Sequence, residues 1–368
     1  MNPKRLYGLD FLKIFAIIWI CLYHFLDYRN GWGLGAYFDK GELLQFFASD
    51  GILFAIPKLI ASMGGIGVHI FIIASGLGLA LSVRGGDLKL LEFFKKRVFK
   101  ILPLYWALLA IILILSIIKG SSINYLDYAT HFLGIHTFFP DFTYSISTPL
   151  WFIGVIIQLY LLFPILYKLI KKIHPIIIIL GAIVIQIFLN TFFVQLFDGG
   201  RFFTEFILSF VAGIYLGNLI SKDKIKFNLQ KSILLIIFGV FGMVALIFKT
   251  KLQIPADIIG LMFSFISISI FIGIFNIFNS KSNFFIPNLP EGSLCYADIT
   301  KKALIFLATI SYPLYLTHYL VLTHILPKLP QLPFVLEMIL FLILAFILSL
   351  YSFLLKFILQ ISIKYGKL

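Results

Sequence analysis

Residues 9–25 read LDFLKIFAIIWICLYHF. A transmembrane helix takes about 20 mostly apolar residues, and this run with its flanks is long enough to cross a bilayer. Yet it holds Asp10, Lys13 and His24. Ionisable groups at that depth are costly and usually face a bundle interior, so they are functional candidates by default. On a helix turning about 100° per residue, Lys13 and His24 share one face, about 16 Å apart along the axis. Asp10 stands three residues before Lys13 and is placed to pair with it. The stretch therefore predicts a membrane span with a polar interior face.

Working outward, the chain repeats this character. Of its 368 residues 61% are hydrophobic and only 12% charged, where a soluble domain carries about a quarter charged residues. An ordinary soluble fold is excluded. Aromatics at 17%, with 42 Phe, fit helices packed on one another and on lipid rather than barrel strands of alternating polarity. Apolar runs fall near 9–27, 60–82, 98–118, 148–170, 174–193, 202–220, 231–249, 254–277, 302–326 and 334–360. The predicted fold is an all-α, polytopic transmembrane bundle of about ten spans.

The net charge of +14 would suggest nucleic acid in a soluble protein, but in a membrane protein the basic residues report topology. With the N-terminus inside, 20 of the 30 Lys and Arg fall on the cytoplasmic side and eight on the outer side. Both termini are thus expected in the cytoplasm, in the plasma membrane, with no nucleic-acid partner. The opening MNPKR lacks a small-x-small cleavage site and reads as the flank of an uncleaved first span. Cys21 lies in an apolar run and Cys295 in a polar loop, so neither a disulfide framework nor a Cys-rich metal site is indicated. The chain reads as a single integral-membrane domain over 1–368, with no soluble domain appended and no inverted repeat.

The two longest loops, 28–59 and 119–147, fall on the outer side and mix aromatic with polar residues. They either shape a binding site or lie on the headgroups. Other polar groups sit within spans. His69 occurs in GGIGVHIFIIASGLG, among small residues that permit close helix approach. In FFKKRVFKILPLYW (93–106), Lys96, Arg97 and Lys100 approach the third span from the cytoplasm. Arg97 and Lys100 share a face, as converging phosphate donors must, although a generic positive-inside cluster would look similar. Tyr105 follows. Trp151 and Gln158 stand in the fourth span, Glu205 in the sixth, and Tyr315 and His318 in ISYPLYLTHYL of the ninth.

These stretches, RLYGLDFLKIFAIIWICLYHF, GVHIFIIASG, RVFKILPLYW and ISYPLYLTHY, resemble in content and order the acyltransferase 3 family of integral membrane acyltransferases. The family's first-span arginine is Lys13 here and the second arginine of its R-x-x-R is Lys100. Both keep the charge and lose the planar guanidinium fork. Where many members carry an acid after the fourth-span tryptophan, this chain has Ile156.

The resemblance implies an acyl-CoA donor, acetyl-CoA first and succinyl next, approaching from the cytoplasm, and an acceptor hydroxyl on a surface glycan or glycolipid reached from outside. His24 is then expected as the catalytic base, with Asp10 and Lys13 on its face. Arg97, Lys100, Lys96 and Tyr105 are expected around the CoA, and His69, Trp151, Gln158, Glu205, Tyr315 and His318 as further candidates. No permanently bound cofactor or metal is expected. A separate extracytoplasmic transferase would have to complete any second transfer. The competing expectation is a transporter or flippase for an anionic or lipid-linked substrate, since polytopic bundles with buried charges commonly move solutes.

Overall fold

A computed structural model describes residues 6–29, 58–83, 88–197, 201–222, 228–247, 254, 256–279 and 294–365. Most of the 28–59 loop, the Cys295 side chain and several of the basic residues counted for orientation lie outside the described set. Among the described residues the regular structure is helical. In chain order it runs α1 (Tyr7–Arg29), α2 (Gly65–Ser82), α3 (Leu90–Ile118), a short α4 (Tyr125–Leu133), α5 (Trp151–Lys172), α6 (Pro175–Val184), α7 (Asn190–Leu196), α8 (Ile207–Ser221), α9 (Leu229–Ile247), α10 (Ala256–Asn279), α11 (Leu294–Leu320) and α12 (Phe334–Tyr365).

Ten helical segments are long and apolar enough to cross a membrane, one of them formed by α6 and α7 joined through a π turn at Ile185–Leu189. They match the ten runs read from the sequence. The largest difference is the third, which begins at Leu90 rather than near 98. No Gly or Pro interrupts LLEFFKKRVFKIL, so the helix extends through the basic residues.

The chain separates into two compact units. The first comprises Met1–Arg84, Ile173–Ile187 and Phe206–Ser311. At its centre α2 packs on α8, α1 and α10, while α9 packs on α10. Its core gathers Leu12, Ala16 and Trp19 of α1, Ile66, Ile70 and Ile73 of α2, and Ile270, Phe271 and Phe275 of α10. Between helices in lipid there is little hydrophobic driving force, so close backbone approach and hydrogen bonds decide association. Gly76 supplies that approach: a Cβ there would stand 2.5 Å from the Phe210 carbonyl oxygen of α8. At Gly67 a Cβ would stand 2.9 Å from the Ala16 carbonyl of α1.

The second unit comprises Gly85–Lys172, Phe188–Glu205 and Tyr312–Leu368. Here the 119–147 loop carries a helix of its own. Asn124 caps α4 through Oδ1, which accepts from the backbone N–H groups of Leu126 and Asp127 at 3.1 and 3.3 Å. Gly134 ends it at φ +72, in the left-handed region that glycine adopts without a Cβ penalty. The Tyr105 hydroxyl of α3 donates to the His131 carbonyl at 3.0 Å, and the Trp106 indole N–H to the Phe132 carbonyl at 3.0 Å. The loop is thereby fastened to the span that precedes it.

Two glycines of α2 separate packing from propensity. Gly76→Ala drives a methyl into the α8 backbone, an overpacking cost of about 1–3 kcal/mol, whereas Gly78 has nothing within 4 Å of an added Cβ. Thermal unfolding in detergent should show a Tm several degrees lower for Gly76→Ala and an unchanged or higher Tm for Gly78→Ala.

Candidate active site

In the first unit, α1 carries the polar face read from the sequence. Lys13 Nζ lies 4.0 Å from Asp10 Oδ1, with Asp10 buried and Lys13 partly exposed. His24 is half-buried farther along the same helix, its ring edge-on to Tyr23 with centroids 5.1 Å apart. Cys21 is fully buried. His69 belongs to a different arrangement: its Nδ1 is 2.9 Å from the Ser209 hydroxyl of α8 and 3.5 Å from Ser264 of α10. Gln186 of the π turn donates to Ser264 at 3.0 Å. Phe206 and Phe263 flank the His69 ring, with centroids at 4.9 and 6.1 Å. This network ties three spans and the π turn together, as interhelical polar groups do in lipid.

In the second unit, Arg97 is half-buried and its guanidinium lies over the Phe93 ring, 5.5 Å from the centroid. Lys96 and Lys100 are exposed on the same end of α3. Tyr105 is fully buried, and its hydroxyl is engaged by the His131 carbonyl rather than offered at the basic end of the helix. Gln158 bridges two segments: its Nε2 donates to Thr137 Oγ1 at 3.0 Å, and its Oε1 accepts from the Phe203 backbone N–H at 2.9 Å. The Tyr315 hydroxyl donates to the Pro149 carbonyl. His318 is fully buried, its Nδ1 2.7 Å from the Tyr315 carbonyl. The Tyr312 hydroxyl donates to the Ile101 carbonyl at 2.9 Å.

Glu205 and Trp151 meet through a residue the sequence reading did not single out. Arg201 Nη1 is 2.6 Å from both Glu205 oxygens, Arg201 Nε donates to the Tyr144 hydroxyl at 2.7 Å, and the guanidinium lies 5.1 Å from the Trp151 ring centroid. The Glu205 carboxylate outweighs burial and raises the proton affinity of Arg201 above its usual value. Sequence reading also missed Asp127, His131 and His136. His131 Nδ1 is 3.0 Å from Asp127 Oδ1, and the His131 and His136 rings stack with centroids 3.9 Å apart. Their signal was present: an acid and a histidine at i, i+4 after an Asn cap, then a glycine that turns the chain back.

The spans and their internal polar groups define a polytopic helical membrane protein with two sets of functional candidates, one on α1 of the first unit and one at the basic end of α3 in the second. The family model described as "Acyltransferase domain" matches residues 6–355. The chain belongs to this acyltransferase family, the one its motifs resemble. A curated relative, "Acyltransferase MdmB" of Streptomyces mycarofaciens, is 31% identical over 137 residues, which make up 35% of this chain and 35% of that one. The matched part thus spans about a third of the relative's length. No solved structure matches the chain.

The bridging role of Gln158 is open to direct measurement. Gln158→Leu fills the same space but leaves the Phe203 N–H and the Thr137 hydroxyl without their partner, and each stranded buried group costs about 1–3 kcal/mol. The variant should unfold several degrees below wild type in detergent, and an unchanged Tm would show that the bridge contributes nothing.

Proposed function

We propose that this membrane acyltransferase moves an acyl group, acetyl first, from cytoplasmic acyl-CoA to a hydroxyl of a cell-surface or exported carbohydrate. What supports the reading is one helix in a chain of an acyltransferase family: α1, with the Asp10–Lys13 pair near one end and His24 farther along. Histidine can be neutral within a membrane and still exchange a proton near pH 7. In the proposed step, His24 accepts the proton of the acceptor hydroxyl as its oxygen bonds to the thioester carbonyl carbon. The tetrahedral intermediate then expels the CoA thiolate, which takes the proton back from His24. The alternative of a covalent acyl-histidine uses the same residue as nucleophile.

Lys13 and Asp10 orient the donor on this face, and Arg97 with Lys96 and Lys100 holds the CoA phosphates. Arginine suits that role because its planar donors match phosphate oxygens in pairs. The number of basic residues at this end of α3 supports a cytoplasmic location for it, the side on which acyl-CoA is found.

Radiolabelled acyl-CoA and purified protein test the assignment. General-base catalysis contributes about 100- to 10,000-fold, so His24→Ala should lower transfer at least about 100-fold while leaving acyl-CoA bound. Equal rates would remove His24 from the chemistry. Arg97→Ala should raise the KM for acyl-CoA with little change in kcat, and an unchanged KM would reduce the basic cluster to a topology signal. Absence of any acyl-CoA binding by wild type would favour the transporter reading.

A further inference from the structure

The stack of His131 on His136 contains none of the residues to which the proposed transfer step gives a part, and its hydrogen bonds fix both tautomers. His131 Nδ1 faces only acceptors, Asp127 Oδ1 and the Asp127 carbonyl, each at 3.0 Å. It therefore carries the hydrogen, and Nε2 has the lone pair. Ser145 steadies that carboxylate by donating to Asp127 Oδ1 at 2.8 Å. His136 Nε2 is 3.2 Å from the Leu150 carbonyl, so it too is the donor and Nδ1 has the lone pair. Both residues are fully buried, and His131 Nε2 and His136 Nδ1 meet no hydrogen-bond partner among the described residues.

A proton on either of these atoms would create a buried donor with no acceptor and a cation stacked on its neighbour at 3.9 Å, with 12° between the ring planes. The stack is tightly enclosed, since a Cβ on Gly154 of α5 would stand 3.3 Å from His136 Cε1 and 2.6 Å from Thr137 Cγ2. It also joins elements that hold the 119–147 loop in place. His131 is anchored to α3 through Tyr105, and His136 to the start of the fourth span through Leu150.

We propose that the His131–His136 stack is an acid-sensitive clasp: while both rings are neutral it holds residues 125–150 against α3 and α5, and protonation of either ring opens that segment.

The surrounding charges leave the sign intact. On its own helix Asp127 favours a protonated His131, yet burial prevails and holds His131 below its usual value. Burial, with His131 alongside, pushes His136 down to about 3. From α3 comes the neutral Tyr105 hydroxyl, and from the 201–205 segment Arg201, whose charge is met by Glu205. The contacts from α5 and the turn before it are Leu150, Gly154 and Gln158, all uncharged.

In the open segment each imidazole takes its proton near the ordinary value of about 6.5. Below that pH the open form binds more protons, so the closed form loses population as pH falls, by up to about tenfold per histidine per pH unit. For His136 the loss continues until the closed form itself protonates, near 3. The distribution of basic residues assigns the segment to the outer side, the side on which acidification of the surroundings is felt. The clasp stands whatever group the chain transfers.

Hydrogen–deuterium exchange of the full chain in detergent, at pH 7.5 and 5.0 and corrected for intrinsic rates, tests it. Wild-type peptides within 125–150 should lose at least tenfold protection at the lower pH. In His131→Asn/His136→Gln the amide nitrogens stand where Nδ1 and Nε2 donate, and neither side chain titrates, so protection should be flat. Where the double variant does not fold, His131→Asn and His136→Gln singly should each retain about half of the wild-type loss on a logarithmic scale. No loss in wild type, or an equal loss in the variants, overturns the clasp.

Discussion

In hydrocarbon a backbone or side-chain polar atom must find its partner within the protein, because no water is there to take it and each stranded group costs several kcal/mol. That constraint runs through this molecule. The hydroxyls of Tyr105, Tyr312 and Tyr315 each donate to a backbone carbonyl. His318 turns Nδ1 to its own helix backbone, and Ser209, Ser264 and Gln186 gather about His69. Where the side chains supply no bond, close backbone approach takes over, as at Gly76 and Gly67. Both devices serve helices that lipid alone would not drive together.

The same constraint gives several of the polar candidates partners in separate segments. Gln158 meets two partners and bridges two segments, while Glu205 is taken up by Arg201. These contacts give both residues a part in holding their segments together. Asp10, Lys13 and His24 instead share a single helix of the first unit, with Lys13 and His24 only half-buried. The basic residues of α3 are partly or wholly exposed at its start. Partial exposure at these places is what an acyl thioester with a phosphate-bearing head would require of the groups that meet it.

The spans were legible because hydrophobic length is a one-dimensional property: ten apolar runs became ten spanning segments with ends a few residues apart. The third differed because a run of Lys and Arg looks like a boundary to a hydropathy reading but is good helix material. The polar partners were far less legible. Tyr105 precedes His131 by 26 residues and Gln158 precedes Phe203 by 45, and no periodicity announces such pairings. The Arg201 cluster joins residues from three separate segments, and His131 looked like an ordinary loop residue until the turn at Gly134 folded His136 onto it. Sequence could place ionisable residues on spans, but the partners that fix Gln158 and Glu205 come only from the fold.

The central claim is that an acyl group enters at the basic end and leaves on a hydroxyl at the opposite face. Proteoliposomes of known orientation test it most directly, with acyl-labelled CoA on one side and a glycan acceptor on the other. Label should reach the acceptor only when acyl-CoA is supplied to the face bearing Arg97 and Lys100, and His24→Ala should abolish it. Transfer that ignores the side of acyl-CoA addition, or that survives the loss of His24, would contradict the account.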